Sequence, residues 1–117
     1  MVAMSENPEI APLRRFAFQL RLRPGAEAAY DAAHRSVWPE MLALLKQAGI
    51  FEYSIFRRGC LLVLTLRCTD FESTWARIEN DPINLRWQAA MKPFFAEMDD
   101  LRVGERFPMM EEVFYLA

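Results

Sequence analysis

Among 117 residues there are one histidine, two cysteines and four glycines, and each shortage closes a class of chemistry. One imidazole and two distant thiols, Cys60 and Cys68, do not make a zinc site. The glycines build neither a phosphate-cradling loop nor a GxSxG nucleophile elbow. No clustered Asp/Glu motif supports a magnesium site. The two cysteines lie eight residues apart in one apolar stretch. If that stretch is a strand, their Cα atoms are roughly 26 Å apart at about 3.3 Å per residue, too far for a disulfide. Two buried thiols of a cytosolic protein are expected instead. No apolar run reaches the length of a membrane span. The formal net charge is −2 and no basic block stands out, which argues against nucleic acid as a partner. What remains is acid–base chemistry, with no cofactor and no metal.

Apolar residues make up 53% of the chain and charged residues 26%, an ordinary globular balance. The length suits one domain with its own core. Met1 to Pro12 is polar, carries Pro8 and Pro12, and has no apolar h-region, so it does not read as a signal peptide. Residues 1–13 read as a loose leader and residues 14–117 as a single domain.

Along that domain the periodicity predicts strands and helix pairs. Over Arg15 to Leu22, Phe16, Phe18, Leu20 and Leu22 alternate with Arg15, Gln19 and Arg21, the pattern of a half-buried strand. Alanine-rich Ala26 to Arg35 predicts a helix that Trp38-Pro39 interrupts. Proline opens a second helix, with Glu40 in its first turn and Gly49 as its stop near Ala48. Phe51 to Phe56 and Leu61 to Cys68 predict a hairpin turning at Arg57-Arg58-Gly59, with Phe51, Tyr53 and Ile55 in alternation. Asp70 is placed to cap a helix over Phe71 to Asn80. Asp81-Pro82 breaks it, and a helix over Ile83 to Phe95 follows, kinked or ended by Pro93. Ala96 to Met110 reads as irregular, and Glu111 to Leu116 as a short final strand.

This order matches an α+β, ferredoxin-like βαββαβ unit, an antiparallel sheet with helices on one face. Leu62, Leu64 and Leu66 point one way, but Leu61 and Val63 point the other. A sheet with one wet face should not read like that. Sheet-to-sheet dimerisation into a shared α/β barrel would bury the second face.

Tyr30 and His34 share one helix face at four-residue spacing, and Trp38 follows four residues later. Histidine titrates nearest neutral pH and moves protons with little tuning. Tyr53 lies in the second strand, and Arg86-Trp87-Gln88 on the penultimate helix. The C–H faces of a pyranose stack on indole, while arginine and glutamine hydrogen-bond hydroxyls. Spacing alone leaves both readings of each residue open: a proton-transfer group beside a sugar platform, or aromatic core with a half-buried histidine. Trp75, without such polar neighbours, belongs to the core.

Tyr30, His34, Trp38, Pro39 and Glu40 resemble the Y-x3-H-x3-W-P-E signature of the L-rhamnose mutarotase family. GIFEYSI over 49–55, Arg86-Trp87 and the closing residues 111–116 are similar as well, so the likeness spans about residues 14 to 116. The resemblance implies a cofactor-free isomerase that interconverts the α and β anomers of L-rhamnose, and a homodimeric α/β barrel in the cytoplasm. By position His34 matches the family's proton donor, and Tyr30, Tyr53 and Trp87 its sugar-binding residues. Gln88 stands where some members carry a second tryptophan, exchanging a stacking surface for an amide in the substrate-binding set. Two alternatives stay open: an L-fucose mutarotase of the same family, and a non-catalytic small-molecule-binding module or cofactor-independent oxygenase on the same barrel.

Overall fold

The computed structural model describes residues 11–117. Most of the expected leader, residues 1–10, lies outside the described residues. The elements are β1 (Arg14–Arg21), α1 (Glu27–His34), α2 (Pro39–Ala48), β2 (Phe51–Arg58), β3 (Leu61–Cys68), α3 (Phe71–Ala76), α4 (Pro82–Met91), a 3₁₀ turn (Lys92–Phe94) and β4 (Met109–Met110). The strands form one antiparallel sheet in the order β2-β3-β1-β4. That is the ferredoxin-like arrangement, with each helix of the βαβ halves replaced by a helix pair.

Period-two alternation sets the sheet's inner face. Phe18, Leu22, Leu62, Leu64, Leu66 and Cys68 are buried there against Phe71, Trp75 and Ile78. Both cysteines are free thiols; Cys68 is buried in β3 as expected, but Cys60 lies in the turn before the strand, where it is only partly covered. Helix boundaries follow local chemistry. Pro39 opens α2, and Gly49 closes it in the left-handed region at φ 98°. Asp70 caps α3 by accepting from the Ser73 N–H at 2.9 Å, and Asp81 caps α4 by accepting from the Ile83 N–H at 2.9 Å.

Five expectations need correction. β2 runs on to Arg58, and the turn is the two-residue Gly59-Cys60, with Arg58 opposite Leu61. Arg57 stays in the strand because Asp31 of α1 grips its guanidinium at 2.8 and 2.6 Å. Phe51 does not share a face with Tyr53 and Ile55. One extra residue between Phe51 and Ser54 makes a bulge, with Glu52 at φ 50°, and this turns Phe51 outward. α3 stops at Ala76, four residues early, because Ile78 N–H tightens onto the Trp75 carbonyl. The last long helix ends at Met91. Pro93 has no N–H to continue the ladder, so the chain tightens into the 3₁₀ turn.

The largest correction is the final strand. It is Met109–Met110, inside the stretch read as irregular, and it pairs only with Ala17 and Phe18. Glu111 to Leu116 has no strand partner. Glu112 is tethered by its side chain to Arg15 at 2.6 Å, and Arg15 lies over the Tyr115 ring at 3.4 Å. Val113, Phe114 and Leu116 are 93%, 78% and 80% exposed. The apolar composition of this arm reflects no burial within its own chain.

Candidate functional site

Between the sheet and the helices lies a cavity of about 210 Å³, lined by Tyr30, His34, Tyr53, Trp75, Trp87 and Gln88 among others. A second space of about 210 Å³ adjoins it and shares His34, Tyr53, Trp75, Trp87 and Gln88. A larger hollow of about 360 Å³ lies on the sheet's outer face by Arg15, Glu52, Arg67 and Glu112. It contains no histidine or tyrosine, so the inner cavity is where proton-transfer and stacking groups meet.

Three elements supply the site. On α1 the four-residue spacing stacks the His34 ring on Tyr30, with centroids 4.0 Å apart and planes at 30°. On α4, Asn84, Trp87, Gln88 and Met91 follow the 3–4 spacing of one helix face and reach the cavities. Trp87 meets His34 edge-to-face at 5.5 Å and Trp38 at 5.1 Å. On β2 the bulge ahead of Tyr53 directs it inward, where it meets Trp75 at 6.5 Å.

The tautomer of His34 follows from one contact. Nδ1 lies 2.9 Å from the backbone carbonyl oxygen of Tyr30. A carbonyl only accepts, so Nδ1 carries a proton and donates it. Nε2 of the neutral ring is then the unprotonated nitrogen, a hydrogen-bond acceptor. Burial pushes the Tyr30 phenol up to about 12, and burial raises Tyr53 as well. Both phenols are therefore neutral at pH 7, able to donate and accept hydrogen bonds.

All five expected site residues, Tyr30, His34, Tyr53, Trp87 and Gln88, border this one cavity. Trp38 and Arg86 do not. Trp38 backs Trp87 in a small cluster with Met41 and Met91, and Arg86 points to solvent on α4. Trp75 is core, as read, yet it is also a cavity wall. Phe107 and Met98 were missed. They come from the irregular stretch after Phe95, where no periodicity marks them. Phe107 stacks on Phe18 at 4.6 Å and meets Trp75 edge-on at 5.5 Å. Arg106 anchors that stretch, donating to Glu79 at 3.0 and 2.8 Å and also to Glu72.

Among the described residues, no group of three or more His, Cys, Asp or Glu could hold a metal ion. No helix among them is long and apolar enough to cross a membrane.

Comparison with known proteins bears on this arrangement. Residues 15–116 match the family model described as L-rhamnose mutarotase. An L-rhamnose mutarotase of Leptothrix cholodnii is 35% identical over 100 residues, covering 82% of this chain and 92% of that protein. One of Rhizobium meliloti is 37% identical over 81 residues, covering 68% and 77%. This chain belongs to the L-rhamnose mutarotase family. The crystal structure of an L-rhamnose mutarotase from Formosa agariphila superposes with a TM-score of 0.71 at 30% identity, covering 89% of this chain and 99% of that one. In this mutarotase-family chain Tyr30, Tyr53, His34, Trp75 and Trp87 border one cavity under the helix layer.

Proposed function

We propose that this chain is an aldose mutarotase that interconverts the α and β anomers of L-rhamnose, with His34 as the proton carrier. The relatives carry L-rhamnose in their names, and this favours L-rhamnose over L-fucose. The observation that carries the role of His34 is its Nδ1–H donated to the Tyr30 carbonyl, which leaves Nε2 for the substrate.

Ring opening moves one proton from the anomeric oxygen to the ring oxygen. Both oxygens are bonded to C1, so one nitrogen facing C1 reaches both. Neutral Nε2 takes the anomeric hydroxyl proton as the C1–ring-oxygen bond breaks and C1 becomes an aldehyde. The imidazolium then protonates the freed ring oxygen. The C1–C2 bond turns, and the same steps in reverse close the ring on the other carbonyl face. Tyr30 and Tyr53 hydrogen-bond sugar oxygens, Trp87 stacks on the C–H face, and Gln88 contacts a hydroxyl at the rim.

Exchange NMR on L-rhamnose tests this, with L-fucose and D-glucose as comparisons. His34→Asn should fold and lose about 10²–10⁴-fold in anomer exchange, the usual contribution of positioned acid–base catalysis. Exchange at the wild-type rate in that variant would rule out His34.

The partner on the bare sheet face is a second copy of this chain. Phe56 on that face is 63% exposed, Leu61 and Val63 are only partly covered, and Val113, Phe114 and Leu116 of the apolar arm are exposed. Sedimentation at micromolar concentration should give a dimer, and a monomer would contradict it. Two free thiols suit the reducing cytoplasm.

A further inference from the structure

Asn84 and Thr74 are the two buried polar side chains among the described residues, and Asn84 is 5% exposed. Asn84 lies one turn before Gln88 on α4, and both line the space beneath Trp87. Each arm of its amide is used. Nδ2 donates to the Glu79 carbonyl oxygen at 3.3 Å, and Gln88 Nε2 donates to Oδ1 at 3.3 Å. Elementary chemistry fixes both orientations. A backbone carbonyl only accepts, so the arm of Asn84 that faces Glu79 is its NH₂. The other arm is then an oxygen, which also only accepts, so Gln88 meets it with its own NH₂. Gln88 keeps its carbonyl oxygen, Oε1, wholly unused, and one N–H of Nε2 beside Asn84. The starting point of this series is itself held, because the Glu79 carboxylate accepts two hydrogen bonds from Arg106.

A glutamine free to turn offers a donor or an acceptor to whatever arrives. Tied to Asn84, its NH₂ is held on the Asn84 side and its carbonyl oxygen is the arm held away from it. The geometry points to Asn84 as a positioning residue that fixes Gln88 with Oε1 toward the substrate, so that position 88 selects a sugar hydroxyl donating a hydrogen bond. This rests on the reading that Gln88 contacts the sugar. Burying Asn84 costs desolvation on both amide arms, and the two hydrogen bonds offset that cost only while Gln88 keeps this orientation.

A double-mutant cycle tests it, with anomer exchange followed by NMR over a range of L-rhamnose concentrations and thermal melting of each variant. Gln88→Ala should raise KM about fivefold with little change in kcat, the loss of one hydrogen bond. Asn84→Ala should raise KM by a similar factor of about two to five, and add nothing to KM in the Gln88→Ala background. Its effect on Tm should be the same in both backgrounds. Asn84→Asp keeps an acceptor for Gln88 Nε2 and loses the donor to Glu79. It should hold KM near wild type with a lower Tm, and it decides the matter if Asn84→Ala does not fold. Asn84→Ala that changes only Tm, or that raises KM equally in both backgrounds, overturns the positioning role. So does a raised KM in Asn84→Asp. Gln88→Ala with unchanged KM is a different result: it removes the sugar contact at position 88 and the role of Asn84 with it.

Discussion

The two faces of β3 are built from similar residues and meet different fates. Leu62, Leu64, Leu66 and Cys68 face the helices and are buried, packed against Phe71, Trp75 and Ile78. Leu61 and Val63, on the opposite face, are only partly covered, and Phe56 beside them on β2 is exposed. Apolar character alone does not say what covers a residue. The inner face is satisfied by its own chain and has space left for a sugar. The outer face has apolar surface and no helix to bury it.

Breaking the inner face should have the largest effect on stability. Phe18 packs against Phe71, Trp75 and Phe107 at once, so Phe18→Ala should cost about 3–5 kcal/mol by urea denaturation. A cost below about 1 kcal/mol would mean that these rings do not form the core. The outer face should respond differently. Val63→Asp should turn the proposed dimer into a folded monomer, read by sedimentation and far-UV circular dichroism. Loss of folding together with dimerisation would show that the two faces are not separable.

Trp87→Ala sharpens the contrast within the inner face. Sugar binding should weaken by about 1 kcal/mol or more, measured by titration calorimetry. Unchanged affinity with lowered stability would make Trp87 core alone.

A further difference should appear only in alkali. The Tyr30 phenol is raised to about 12 by burial, against about 10 in an unfolded chain. Below pH 10 both states hold the proton and the contribution to stability is complete. Above it the unfolded chain ionises first, so stability falls from about pH 10 to 12. Tyr30→Phe should lessen that fall in the urea midpoint between pH 9 and pH 11.5. An equal fall in both proteins would contradict the burial of this phenol.

Much of the fold and site was legible because it is local. Strict alternation in Arg15–Leu22 and Leu61–Cys68, the Trp38-Pro39 break and Gly49 each act within a few residues. Tyr30 and His34 are neighbours by helix geometry alone, and the motif around them carried the family. The misreadings came where long-range partners decide. Asp31 keeps Arg57 in β2, a bulge turns Phe51 outward, and Phe107 enters the cavity from an aperiodic segment that Arg106 anchors.

By itself the sequence determined the order of elements, the ferredoxin-like class, the family and the cluster Tyr30–His34, since short-range periodicity and turn chemistry encode these directly. Only the tertiary structure decided which nitrogen of His34 is free, that Trp75 and Phe107 wall the cavity, and that Asn84 orients Gln88. It also decided that residues 111–116 find no strand in their own chain. The cavity walls and the fate of residues 111–116 depend on partners far away in the chain, and the two side-chain hydrogen bonds, though each spans only four residues, depend on side-chain orientations that spacing does not give.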